Sequence, residues 1–249
     1  MHILITGASS GLGEAIALVY AQKSNVLSLA GRHGERLEAV AQKARAKGAE
    51  VHVSVVDVTK AWGMEDWIKQ VDARQPIDLV IANAGISAGT GLGGESKAQA
   101  LEIFAVNLTG VLNTFFPALK VMKTRGQGQV ALMSSLAGFR GFAGAPAYGA
   151  SKAAVRVYGE ALRSEMEPLG IKINVICPGF VETPMTAVND FSMPFLMKPE
   201  KAAKIIRQGL EKNRPRIAFP WPMAALVWLL AALPIRLTEF LLRRLPRKP

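Results

Sequence analysis

Short apolar runs alternate along this chain with longer stretches in which apolar residues recur at helical spacing. "HILITG" is a run closed by glycine, and "GLGEAIALVYAQK" after it has a helical period. The alternation continues with "NVLSLAG" and the charged helical pattern "GERLEAVAQKARAKG". Then come "EVHVSVVDV" with a helix through "MEDWIKQVDAR", and "IDLVIANAG" with a long helical stretch over 98–123. "GQVALMSS" reads as a strand, "YGASKAAVRVYGEALRSEME" as a helix, and "IKINVICPG" and "RIAF" as strands. Near-continuous β-branched runs separated by helices belong to parallel strands covered on both faces. The pattern predicts an α/β fold: a doubly wound parallel sheet of about seven strands with helices on both faces, binding its ligand at the carboxyl ends of the strands.

After "RIAF" (216–219) the pattern changes. "PWP" is followed by "MAALVWLLAAL" (223–233), Pro234 and "IRLTEFLLRRLPRKP". The uncharged run is cut by Pro220, Pro222 and Pro234, and the remainder is shorter than the roughly 20 residues a membrane span needs. The segment beyond places Leu237, Phe240, Leu241 and Leu245 on one helical face and Arg236, Arg243 and Arg244 largely elsewhere. Such an order describes a membrane-surface element, or a tail packed on the domain or on a partner subunit. The expected organisation is one domain over 1–219 and a C-terminal helical extension over 220–249.

Composition narrows the class. Of 249 residues 50% are hydrophobic and 20% charged, which excludes a disordered chain. The lone Cys177 forms no intrachain disulfide and reads as a buried thiol at a strand end. The three histidines are isolated, so no metal site is expected. "MHILITG" enters a strand directly, without the pattern of a secretory signal, which predicts a cytoplasmic setting. The net charge is +11, and more than half of it falls after residue 213, where seven basic residues face Glu239 alone. No basic groove interleaved with aromatics is present, so nucleic acid is not an expected partner.

Chemistry first shows at "TGASSGLG". Glycines between a strand and a helix let the backbone approach a pyrophosphate, and the helix N-terminus supplies free N–H groups. Gly7, Ser9, Ser10, Gly11, Leu12 and Gly13 are therefore candidate cofactor contacts. The second strand ends in "LAGRHGER", with Arg32 where folds that read a free ribose 2′-hydroxyl carry an acid. An arginine there suits a 2′-phosphate, which predicts NADP(H) in preference to NAD(H).

With these motifs the chain resembles the short-chain dehydrogenase/reductase family. The resemblance runs from "TGASSGLG" through Asp57–Val58, "NAG" (83–85), Asn107, "SS" (134–135), "YGASK" (148–152) and "PGFVET" (178–183), and covers about residues 2–214. It implies a Rossmann-like catalytic domain. It places Asp57 toward the adenine with Val58 beside it, and the backbone of Asn83, Ala84 and Gly85 against the cofactor. Asn107 would kink its helix and hold a water next to Lys152. Ser135 lies thirteen residues before Tyr148, the usual family offset, which makes it the catalytic serine and Ser134 its neighbour. Pro178, Gly179 and Thr183 would frame the nicotinamide. Family members pair through the helix after Tyr148 and the one before it, which implies a homodimer or homotetramer.

The catalytic set follows a chemical logic. A carbonyl that accepts hydride needs a proton, and a free tyrosine with a pKa of about 10 is a poor acid–base switch at neutral pH. Tyr148 and Lys152 are four apart and share a helical face, so the ammonium is expected to lower the phenol's pKa and also to reach the cofactor ribose. Ser135 can hydrogen-bond the substrate oxygen. Phe139 and Phe142, and a mobile lid over 179–200 with Met185, Phe191, Met193, Phe195 and Met197, predict an apolar pocket for a lipophilic ketone, aldehyde or secondary alcohol. The same fold also serves nucleotide-sugar epimerases and dehydratases, usually with a larger C-terminal substrate domain, and non-catalytic dinucleotide-binding or membrane-associated interaction proteins.

Overall fold

The computed structural model describes residues 1–88 and 94–242. Seven parallel strands form one sheet: β1 (His2–Thr6), β2 (Val26–Gly31), β3 (Glu50–Val55), β4 (Leu79–Ala82), β5 (Gly128–Met133), β6 (Ile171–Pro178) and β7 (Arg216–Phe219). Their spatial order is β3-β2-β1-β4-β5-β6-β7. The chain leaves the centre in one direction through β2 and β3, then returns to β4 on the other side of β1. The crevice between the carboxyl ends of β1 and β4 is therefore the topological switch point where ligands bind.

Alternation along the strands explains the two helix layers. Ile3, Ile5, Leu27, Leu29, Leu79 and Ile81 face one side, where α1 (Gly11–Tyr20), α2 (Gly34–Ala46) and α8 (Pro199–Glu211) add Ile16, Leu37 and Ile206. Leu4, Val80, Val130 and Leu132 face the other side, covered by α3 (Ala61–Arg74), α5 (Gly110–Lys123) and α6 (Pro146–Met166) through Ile68, Phe115 and Val155.

Several elements differ from the sequence pattern. The long helical stretch is α4 (Lys97–Phe104) and α5 joined by a π-helical turn at Ala105–Thr109. By length and mean hydropathy of 1.2 the stretch Lys97–Lys123 could cross a membrane, but Val111, Phe115, Ala118 and Met122 bury its inner face in the core. Helix α8 was not anticipated. Its inward stripe is built from Ala202, Ala203, Ile206 and Leu210, with Lys201, Lys204 and Gln208 on the exposed side. The expected lid contains a short helix, α7 (Pro184–Ala187), and is closed at its base by a bridge between Val181 and Met197.

The tail forms α9 (Trp221–Ala232) and α10 (Ile235–Leu242). One side of α9 packs on the domain, where Val227, Met223 and Ala224 join Leu136, Phe139, Phe142, Val175 and Cys177 in an apolar cluster of their own. A hydrogen bond from Arg140 to the buried Thr238 hydroxyl fastens the start of α10. The packed-tail reading therefore describes the inner side of α9.

Candidate active site

The glycine turn after β1 is held in place by its neighbour across the switch point. The buried Thr6 hydroxyl accepts hydrogen bonds from the backbone N–H groups of Asn83 (3.1 Å) and Ala84 (3.2 Å). In return the Asn83 side-chain amide donates to the carbonyls of Thr6 (3.0 Å) and Gly7 (3.1 Å). Gly7 has φ +66°, which only glycine adopts readily. A side chain at Gly13 would strike the Gly7 carbonyl and come within 2.7 Å of Asn83 Nδ2. At Gly7 and Gly13 the cradle is thus closed to a Cβ. At the N-terminus of α1, Ser10 makes no side-chain cap, so the first-turn N–H groups have no partner from that side chain. A dinucleotide's pyrophosphate fits this arrangement.

Every residue that the sequence assigned to the cofactor borders one cleft of about 320 Å³ at the carboxyl ends of the strands. Arg32, after β2, stands at its far end. Two neighbours escaped the sequence reading: His33 and Arg36 line the same end. Arg36 follows Arg32 by four residues, in the first turn of α2. The Asp57 carboxylate accepts from the Thr59 N–H and hydroxyl, both at 2.9 Å. The bond from the Thr59 backbone is the main cause holding its pKa below the usual range, with Arg32 adding to it. Val58 lies between the cleft and Gly110, whose hydrogen leaves room for it.

At the other end of the cleft, β5 and α6 bring the hydroxyls and the lysine together. Lys152 is 3% exposed, and its Nζ donates to the Met133 carbonyl at 2.9 Å. The Ser134 hydroxyl donates back to the Lys152 carbonyl at 2.7 Å. Burial lowers the lysine pKa to about 8, with the nearby Cys177 opposing the shift. Part of Tyr148 borders the cleft, while burial pushes its phenol pKa up and the Ser135 hydroxyl pulls it down. This corrects the expectation that the ammonium lowers the phenol's pKa. The Nζ is turned to Met133 and lies 5.8 Å from the tyrosine ring centre, so desolvation wins. Ser135 caps a short turn through Ala137 N–H (3.1 Å) and donates to Pro178 O (3.3 Å). It stands just behind the wall of the cleft, where Ser134 forms part of the lining.

Asn107 lies in the π-helical turn and is fully buried. Its side chain accepts from Ile86 N–H (2.8 Å) and donates to Ile86 O (2.9 Å) and Ser151 Oγ (3.2 Å). It thereby ties the segment after β4 to the helix that carries the lysine. A Cβ on Gly85 would sit 3.2 Å from Asn107 Oδ1 and 3.3 Å from Lys152 Nζ, so Gly85 is the gap between them. Glu95 is a further residue that the sequence did not reveal. Its two carboxylate oxygens accept from Ala147 N–H (3.2 and 3.1 Å) and cap the first turn of α6, next to Tyr148. Pro178 and Gly179 line the cleft, and the Thr183 methyl and Cβ would touch a side chain at Gly11. Thr183 also caps α7 in a reciprocal pair with Thr186.

Comparison with known proteins gives the family of this fold. The sequence model of the short chain dehydrogenase family matches residues 1–191. An uncharacterised oxidoreductase of Myxococcus xanthus is 38% identical over 243 residues, covering 97% of this chain and 96% of its own. The ketoacyl reductase HetN of Nostoc is 33% identical over 220 residues, 86% of this chain and 77% of that protein. Among solved structures, an alcohol dehydrogenase from Thermococcus sibiricus complexed with 5-hydroxy-NADP aligns with a TM-score of 0.78 and 30% identity, over 88% of this chain and 95% of that one. The chain belongs to the short-chain dehydrogenase/reductase family and is an oxidoreductase of the dehydrogenase/reductase type with a dinucleotide-binding fold.

The Thr6–Asn83 stitch makes a prediction. Thr6→Val removes the acceptor of the part-buried Ala84 N–H and one of two acceptors of the Asn83 N–H, which keeps the Ile81 carbonyl at 3.0 Å, a loss of about 1–3 kcal/mol. The melting temperature should fall by about 2–4 °C per kcal/mol in a chain of this size, and dinucleotide affinity should fall with it. A thermal melt with and without cofactor checks this; a variant that melts and binds like the wild type would remove the stitch from the account.

Proposed function

We propose that this chain is an NADP-preferring oxidoreductase that interconverts a lipophilic ketone or aldehyde and the corresponding alcohol. The observation that carries the reading is that Tyr148 and Lys152 border one end of a cleft, with Ser135 just behind its wall, while the other end is a glycine cradle. When bound there, a nicotinamide dinucleotide supplies the hydride in reduction and accepts it in oxidation. Tyr148, kept protonated by its burial, donates its proton to the carbonyl oxygen as that oxygen gains charge; in the reverse direction the phenolate takes the alcohol proton. Ser135 orients the oxygen toward the phenol. Lys152, its ammonium buried 5.8 Å from the tyrosine ring centre, supplies positive charge beside the phenolate as it forms. Asn107 positions the lysine's helix through Ser151.

Arg32 and Arg36 at the ribose end, with no acid among the side chains there except Asp57, support a 2′-phosphate. The NADP analogue bound by the Thermococcus relative agrees with this. Substrate polarity is supported by Ile86, Val181 and Met185 on the cleft wall and by the segment 179–197, which carries no lysine or arginine; Phe139 and Phe142, expected in the pocket, pack against the tail instead. Members of the family are commonly oligomeric. The exposed Leu101, Phe116 and Val157, on α4, α5 and α6, support a homodimer or a homotetramer through that face. A cytoplasmic setting completes the proposal.

Two experiments test it. On a ketone found by screening lipophilic carbonyls against NADPH absorbance, Tyr148→Phe should lower kcat at least a thousandfold with little change in NADPH affinity; turnover within tenfold of the wild type would refute the role. Each charge-assisted contact to a phosphate is worth about 1.5–3 kcal/mol, so Arg32→Ala and Arg36→Ala should each narrow the NADPH-over-NADH preference about tenfold or more. A wild-type protein that binds both equally would overturn the cofactor assignment.

A further inference from the structure

The tail helices have two unlike sides. The inner side of α9 is spent on the domain, with Val227 buried and Met223 close enough to Gly179 that a Cβ there would meet its Sδ at 2.9 Å. Gly179 lines the cleft, so the tail forms the wall behind it at that point. The outer side is bare. Trp221 (78% exposed), Trp228 (61%) and Leu229 (51%) stand outward on α9, and Ile235 and Leu237 continue the surface onto α10. Trp221, Ala225, Trp228 and Ala232 fall at i, i+4, i+7 and i+11, one continuous stripe. Exposed apolar patches of this extent mark an interaction surface.

Charge identifies what fits it. Arg236 stands exposed between Ile235 and Leu237 of the apolar surface. The sequence that follows adds Arg243, Arg244, Arg247 and Lys248 against Glu239. Tryptophan and leucine over a basic margin match the headgroup region of an anionic bilayer, where Trp sits at the interface and arginines meet lipid phosphates. At 12 residues α9 is about 18 Å long, less than the roughly 30 Å hydrocarbon core, so it lies in the surface and does not span. We propose that the outer face of α9 and α10 docks on an anionic lipid surface and sets the substrate end of the cleft against the bilayer. Docking is independent of the reaction proposed above; the delivery of an apolar substrate from the lipid rests on that reading.

The test uses the full chain and vesicles of phosphatidylcholine with or without phosphatidylserine, read by co-sedimentation. The wild type should pellet with the phosphatidylserine vesicles at low salt, at least tenfold more than with phosphatidylcholine alone, and salt should release it. W228S/L229S and, separately, R236E should each weaken binding severalfold while keeping the wild-type melting temperature and NADPH affinity. Should the paired variant not fold, R236E and the salt series decide alone. A wild type that stays in the supernatant overturns the proposal, and so does equal binding to neutral vesicles. A paired variant that pellets as before, or one whose only change is a smaller mass in light scattering, assigns the face to another copy of the chain and likewise overturns it. Because sedimentation needs no substrate, failure here leaves the proposed reaction standing, and a dead Tyr148 test leaves the docking result standing.

Discussion

A lysine ammonium held almost entirely out of water is the constraint around which this structure is arranged. Burial of a charge costs several kcal/mol unless its donors are met. Lys152 meets that cost through the Met133 carbonyl at the end of β5, and Ser134 returns a bond to the lysine's own backbone. These reciprocal bonds lace the strand end to the helix and fix where Tyr148 can stand. The neighbours must then be small. A Cβ on Gly138 would come within 2.7 Å of the Lys152 backbone, and Gly85 separates the ammonium from Asn107. The lowered pKa is the same constraint in another form: the site holds the lysine where losing its proton costs little.

The alternation of apolar runs and helical periods was enough to read the parallel sheet and its strand count, because both faces of each strand are covered and the runs are therefore continuous. The glycine turn and the Tyr148–Lys152 pair were legible for a local reason, since their spacing alone places them on one turn or one helical face. What escaped depends on contacts between segments far apart in the chain. Glu95 caps a helix that begins at Pro146, and Met223 reaches Gly179 only because α9 folds back over β6 and β7. The direction of the tyrosine's pKa shift was misjudged for a related reason. Spacing shows that a lysine is near, but not that its ammonium is turned to a carbonyl. Helix α8 has a clear helical period, with Ala202, Ala203, Ile206 and Leu210 inward and Lys201, Lys204 and Gln208 outward, so its signal was present in the sequence.

The tail shows how one apolar segment can serve two surfaces. Its first helix completes a small cluster with Leu136, Phe139 and Cys177, and so stiffens the loop that leads from Ser135 toward Tyr148. The same helix leaves its tryptophans outside. The Gly179 end of the cleft and the exposed apolar face are thus separated by the thickness of a single helix.

The central claim is that the fold itself lowers the lysine's pKa, and a direct titration tests it. With lysines labelled with carbon-13 at the ε position and the signal assigned by its loss in Lys152→Met, the Lys152 resonance should titrate with a midpoint near pH 8. A midpoint at the ordinary lysine value of about 10.5 would contradict the account.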